Sequence, residues 1–151
     1  MSSAPDGSAG RPSDDHSDGQ SDDHSDDHRD DPYDAGMRVR REVLGDEHVD
    51  RAVEKTTPFT APFQEYITRA AWGDVWTRPG LDRRTRSAIT LAALTSLHCE
   101  GEIAMHVRAA LRNGLTADEI GEVLLHTAVY AGVPAANSAF AVAQRVLSDE
   151  D

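Results

Sequence analysis

The sequence predicts an all-α fold, on three observations. No stretch keeps an apolar/polar alternation of period two for long, Ala is much the commonest apolar residue with Leu among the rest, and helix start and stop residues recur along the chain. The 151 residues amount to one domain, and they are not uniform. Residues 1–36 contain no Val, Ile, Leu, Phe or Trp and carry eleven Asp and two Arg, a net of -9 out of -12 for the whole chain. A segment this polar buries too little surface to offset its ordering entropy, so it is expected to be disordered. Residues 37–151 are left as the folded domain, with six or seven helices.

The elements follow in order. "MRVRREVLG" reads as a short helix stopped by Gly45. "DEHVDRAVEK" follows, with Asp46 as a candidate N-cap, and "TTPF" breaks the chain. In "TAPFQEYITRAAWGDVW", Pro62 sits in the first turn and Phe63, Ile67 and Ala70 recur at helical spacing. The turn "TRPG" leads to "LDRRTRSAITLAALTSLH", which opens on Asp82 as N-cap and is apolar on most sides, the mark of a buried helix. "EGEIAMHVRAALRNG" puts Ile103, Val107, Ala110 and Leu111 on one face and ends at Asn113-Gly114. "TADEIGEVLLHTAVYAG" opens with the capping box Thr116/Glu119 and closes at Gly132. "VPAANSAFAVAQRVL" begins with Pro134 in its first turn. Short connections of this kind join antiparallel neighbours in a bundle.

One cysteine excludes an intramolecular disulfide. The chain has no long apolar run and no apolar leader, so we expect a soluble, cytoplasmic protein with no membrane contact. With no basic patch interleaved with aromatics, no nucleic-acid partner is expected. The tail repeats "SDDH", setting His16, His24 and His28 among aspartates. A loose metal site and a solvated low-complexity extension are the two readings, and the lack of a scaffold favours the second.

The densest chemistry is "HCEGEIAMH", His98 to His106. On a helix, Cys99, Glu102 and His106 step by three and four residues and share one stripe beside the apolar face. A half-buried Glu and His one turn apart suit proton transfer, because burial and mutual charge move both toward neutral pH. A purely structural i,i+4 pair has the same spacing. Glu122 and His126 repeat it, with Tyr130 one turn further on and Glu122 an expected exposed flank. Arg83, Arg84 and Arg86 crowd the first turn of the most apolar helix. Guanidinium groups there run against the helix dipole, so either a bound carboxylate or plain solvation accounts for them. HExxH, paired CxxC, GxxxxGK[ST] and GxSxG are all missing, and no metal or cofactor is expected.

The segments "WTRPGLDRRTRS", "NGLT..EI.EVLLH" and "VYAGVPAAN" resemble the carboxymuconolactone decarboxylase family over roughly residues 37–148. The resemblance implies an alkylhydroperoxidase D-like helical bundle, a homo-oligomer (trimer or hexamer), and cofactor-free decarboxylation of 4-carboxymuconolactone to the β-ketoadipate enol-lactone and CO2 in protocatechuate catabolism. It implies His106 as general acid, with Glu102 setting its protonation. Arg83 or Arg86 would hold substrate carboxylate, and His126 and Asn137 would be further pocket residues. The related peroxidases carry CxxCxxxH. Aligned on His106, this chain has Cys99 at the first cysteine position, Glu102 at the second, and Ser87 in place of the relay glutamate. A lone thiol cannot close a disulfide cycle, which argues against the alternative of a thiol redox protein. The retained Glu102/His106 pair argues against a non-catalytic binding subunit.

Overall fold

The structure is a computed structural model that describes residues 31–149. The tail expected to be disordered lies outside those residues up to position 30, and His16, His24 and His28 with it. Seven α-helices follow one another, with no strand among the described residues: α1 Pro32–Leu44, α2 Asp46–Glu54, α3 Ala61–Ile67, α4 Arg83–Ser96, α5 Glu100–Arg112, α6 Ala117–Ala131 and α7 Val133–Asp149. The all-α bundle expected from the sequence is what forms.

Helix α1 starts earlier than composition implied, so Pro32–Gly36 belong to the fold and not to the tail. Three local features replace the missing apolar residues. The Asp31 carboxylate accepts the Tyr33 N–H at 2.9 Å, Pro32 occupies the first helical position, and Asp31 also holds Arg69 at 2.5 Å. Helix α1 ends at Gly45 with φ 86°, as expected. Asp46 is not the cap of α2. It is the first helical residue, and its carboxylate pairs with Arg41 at 3.2 Å.

Helix α3 runs directly into a π-helical segment, Thr68–Val75, in which Trp76 N–H reaches back five residues to Ala71 O at 2.9 Å. The wider winding brings Thr68 and Trp72 to the inside and stacks Trp72 on Trp76 with ring centroids 5.1 Å apart. Phe63 stays exposed. Helix α1 lies against the π segment so closely that a methyl group at Gly36 would overlap the Thr68 carbonyl and the Gly73 backbone. One at Gly73 would overlap the Pro32 carbonyl.

Two apolar clusters make the core. Leu91, Ile103, Val107, Ile120, Leu124 and Ala139 hold α4, α5, α6 and α7 together. Val39, Val43, Val49, Trp72 and Ala109 join α1, α2 and the π segment to α5. Helix α5 is therefore buried on two sides. Each fully buried Leu or Ile there contributes about 1.5–3 kcal/mol. Helix α4 is less enclosed than its composition implied: Ser87, Leu91 and Thr95 are buried, while Ile89 and Leu97 are exposed.

The Gly36 contact gives a direct test of this packing. Gly36→Ala should destabilise the fold by about 1–3 kcal/mol, the usual cost of overpacking. Urea unfolding measures it, and an unchanged midpoint would mean that α1 and the π segment are not in backbone contact.

Candidate active site

The "HCEG" stretch is not helical throughout. Helix α4 caps at Leu97, and His98 takes the left-handed conformation at φ 56°. His98 N–H then bonds Thr95 O at 3.2 Å, and Cys99 N–H bonds Leu94 O at 2.9 Å. This is a Schellman closure with His where Gly is usual. His98 is thus a turn residue. Cys99 is the residue before α5, its thiol 3.7 Å from Leu97 O. The stripe expected from spacing reduces to Glu102 and His106.

Those two side chains line a cavity of about 410 Å3 together with Arg40, His48, Phe63, Gln64, Ile67 and Trp72. Helix α5 supplies the Glu–His pair, α1 supplies Arg40, α2 supplies His48, and α3 with its π continuation supplies an apolar wall. Arg40 is only 5% exposed. Its Nη1 donates to Thr68 Oγ1 at 3.3 Å and its Nη2 to Gln64 Oε1 at 3.1 Å. Its buried Nε has no partner among the described residues. The Thr68 hydroxyl in turn donates to Gln64 O at 2.8 Å, which fixes both acceptors on one turn. Both acceptors are neutral. A second cavity, about 510 Å3, lies on the other side of Arg40 and Gln64, toward Tyr33 and Arg69.

The electrostatics follow from burial. Desolvation holds the Arg40 guanidinium below its ordinary value, and Arg41 adds to the effect. Burial likewise lowers His106 from 6.5, Glu102 pulls it back up, and His48 pushes it down. His48 is lowered first by burial and then by Arg40 and Arg51, while Glu102 again opposes. The cavity thus contains one fixed cation, one carboxylate and two imidazoles that give up their protons readily.

The other expected site residues lie elsewhere. Arg83 pairs with Glu42 of α1 at 2.5 Å, and Arg84 with Glu119 and the Gly114 carbonyl, both at 2.5 Å. Arg86 donates to Arg78 O at 3.0 Å, with its buried Nε unpartnered among the described residues. None of the three lines the Glu102/His106 cavity. His126 and Asn137 are exposed on α6 and α7, and His126 stacks against Tyr130 with centroids 5.1 Å apart. Glu122 is exposed, as expected. The first turn of α4 is therefore a bracing region: its guanidiniums tie α4 to α1 and to the α5–α6 connection.

The carboxymuconolactone decarboxylase family pattern matches residues 61–145. The chain belongs to the carboxymuconolactone decarboxylase family. It is 50% identical over 114 residues to a 4-carboxymuconolactone decarboxylase of Acinetobacter baylyi, covering 76% of this chain and 85% of the relative. It is 47% identical over 114 residues to a nitrosuccinic acid decarboxylase of Metarhizium robertsii, covering 76% and 80%. A 40-residue stretch is 67% identical to a 4-carboxymuconolactone decarboxylase of Pseudomonas putida, covering 26% of this chain and 83% of the relative.

For this family member, sequence reasoning missed Arg40 and His48. A signal for Arg40 was present. Met37, Arg40 and Leu44 are spaced by three and four, so a cation stands in the apolar stripe of α1. His48 carries no such mark, because Gly45 resets the helix before it.

The histidines should titrate as their surroundings dictate. Both have folded pKa values below 6.5, so on acidification the unfolded chain takes up protons first. This contribution to stability is whole above about pH 6.5 and falls as the pH drops below it. NMR titration should place the His106 midpoint below 6.5, and Glu102→Gln should lower it further, since Glu102 is the group that raises it. An upward shift in that variant would contradict the arrangement.

Proposed function

We propose that this chain decarboxylates 4-carboxymuconolactone to the β-ketoadipate enol-lactone and CO2, without a cofactor. The observation that carries the reading is Arg40, a buried guanidinium with no carboxylate in contact among the described residues, facing a cavity that also holds Glu102, His48 and His106. An uncompensated cation in that position is a binding site for an anion. The family relationship supplies the anion: the named substrate of the Acinetobacter relative is a dicarboxylate.

The chemistry asks little else of the protein. One ring carbon of the lactone carries both the carboxylate that leaves and a carboxymethyl arm that stays. When the bond to CO2 breaks, its electron pair moves through the ring C=C into the lactone carbonyl. The substrate is its own electron sink. A proton then goes to the carbon next to that carbonyl, and the ring double bond is left in the enol-lactone position. The site must hold one carboxylate, stabilise the oxyanion and deliver the proton. Arg40 serves the first need, in place of Arg83 or Arg86. His106 and His48 face the second and third, with Glu102 favouring their charged forms. In the empty cavity burial keeps the imidazoles neutral near pH 7. An arriving dianion raises their pKa values, so the acid becomes charged when its substrate is present. A cytoplasmic location and a place in protocatechuate catabolism accord with this substrate. Among the described residues, no helix is long and apolar enough to cross a membrane.

Nitrosuccinate, named for the Metarhizium relative, comes within the same reading. It too loses a carboxylate from a carbon attached to an electron-withdrawing group.

Assembly is part of the proposal. Leu125, Val129, Tyr130 and Val133 form an exposed apolar run from the end of α6 into α7, with Val129 78% and Tyr130 79% exposed. A run of this kind on a domain of about 115 residues calls for a second copy to cover it. Light scattering at micromolar concentration should give a trimer or a hexamer, and a monomer would reject the assembly.

Kinetics separate the roles. Arg40→Met should raise KM on the order of 10–100-fold, because a carboxylate anchor acts already in the ground state. His106→Gln should lower kcat on the order of 10²–10⁴-fold. A fully active His106→Gln enzyme would transfer the proton donor's task to His48.

A further inference from the structure

We infer that the cavity is built to recognise a succinate unit, and that it decarboxylates 2-substituted succinates whose substituent accepts an electron pair. The inference rests on the decarboxylase reading above and narrows it to a substrate class. Two observations carry it, one from the cavity and one from the substrates of the relatives.

The cavity has three chemically different walls. Arg40 is a single fixed cation, its buried Nε without a partner among the described residues and its Nη groups bonded to the neutral acceptors Thr68 and Gln64. His48, His106 and Glu102 form a proton-carrying wall, while Phe63, Ile67 and Trp72 form an apolar one. Arg40 is the one buried cation of the lining, so only one carboxylate of a dicarboxylate can be clamped there. It must be the one that stays. A guanidinium on the departing carboxylate would stabilise its charge in the ground state and oppose its loss as neutral CO2. The departing carboxylate is then left to the apolar wall, and the electron sink to the imidazoles, which can donate to the charge that develops on it.

The two relatives at 50% and 47% identity cover the same length of this chain. Their named substrates look unlike, a lactone and a nitro compound. Both contain one fragment, a carbon bearing the leaving carboxylate and the sink, then a CH2, then a second carboxylate. That fragment is succinate substituted at carbon 2. In the lactone the sink is the vinylogous carbonyl, and in nitrosuccinate it is the nitro group. The step is the same and balances alone. The bond from carbon 2 to the carboxyl breaks, CO2 leaves, the pair enters the sink, and a proton from the site adds to carbon 2 of nitrosuccinate or to the ring carbon next to the carbonyl of the lactone. Nitrosuccinate gives 3-nitropropanoate in this way, with no oxidant or reductant consumed.

The test uses the full-length protein and three nitro acids, each corrected for its spontaneous loss of CO2, beside 4-carboxymuconolactone. 2-Nitrosuccinate should be decarboxylated to 3-nitropropanoate. 2-Nitropropanoate keeps the sink and the leaving carboxylate but lacks the carboxylate for Arg40, and 2-nitroglutarate places that carboxylate one carbon further away. Both should show kcat/KM lower on the order of 10–100-fold, the effect of losing a charged hydrogen bond. If nitrosuccinate is inert while carboxymuconolactone turns over, the succinate reading fails and the decarboxylase reading stands. If 2-nitropropanoate reacts as fast as nitrosuccinate, recognition does not run through the second carboxylate and the inference is overturned. If carboxymuconolactone itself is not consumed, both readings fall together.

Discussion

At Gly36 and Gly73 the backbones of α1 and the π segment lie closer than any side chain would allow. This contact fixes how α1 lies on the molecule, and much of the site depends on it. One turn beyond Gly36 comes Arg40, and the same π segment that accepts Gly36 begins at Thr68, the residue that receives Arg40's Nη1. The close approach therefore carries a guanidinium into a region it would otherwise leave. The π winding is part of the same device. It turns Thr68 and Trp72 inward together, one to orient Arg40 and the other to join the wall beside it.

Helix α5 works from the opposite side. Its Ile103, Val107 and Ala110 are locked into the α4–α6–α7 cluster, and its Ala109 is buried against α1 and α2. Glu102 and His106 stand on the strip between these buried faces, which holds their backbone in place; the His106 side chain is half-buried and that of Glu102 exposed. A backbone held in this way suits the proton donor proposed at His106, since a small displacement from the reacting atom costs rate steeply. His48 arrives by a different route, on a short helix that follows the sharp turn at Gly45, with Arg112 bracing that turn through the Val43 carbonyl at 3.0 Å.

The sequence made most of the fold legible because helix boundaries are local. Asp82, the Thr116/Glu119 box, Gly45 and Gly132 each act within a turn or two, and each stands where its chemistry placed it. The start of α1 was illegible, because composition counts apolar residues and this start is held by a cap, a proline and a glycine contact with a segment far along the chain. Half of the candidate site was legible for the same reason. Glu102 and His106 are neighbours on one helix, and their spacing is visible. Arg40 and His48 meet them only through tertiary packing. The arginines at the start of α4 look like a site because three guanidiniums share one turn, and they do not line the Glu102/His106 cavity. Two of them instead serve as braces, through carboxylates 41 and 35 residues distant in sequence, Glu42 and Glu119.

The choice of partners for Arg40 is where structure and function meet. A buried guanidinium costs several kcal/mol unless it is compensated. The usual compensation is a carboxylate in the protein, but a carboxylate on Arg40 would have to be displaced by every arriving substrate. Thr68 and Gln64 instead accept two of its hydrogen bonds without neutralising its charge. They set the direction of the guanidinium and leave its electrostatic demand unmet. Glu102, the carboxylate of the cavity, acts on the imidazoles and makes no contact with Arg40. Positive and negative groups are thus kept apart in one small space. The proposed substrate, with a carboxylate at one end and an electron sink at the other, has the two kinds of group that such a separation suits.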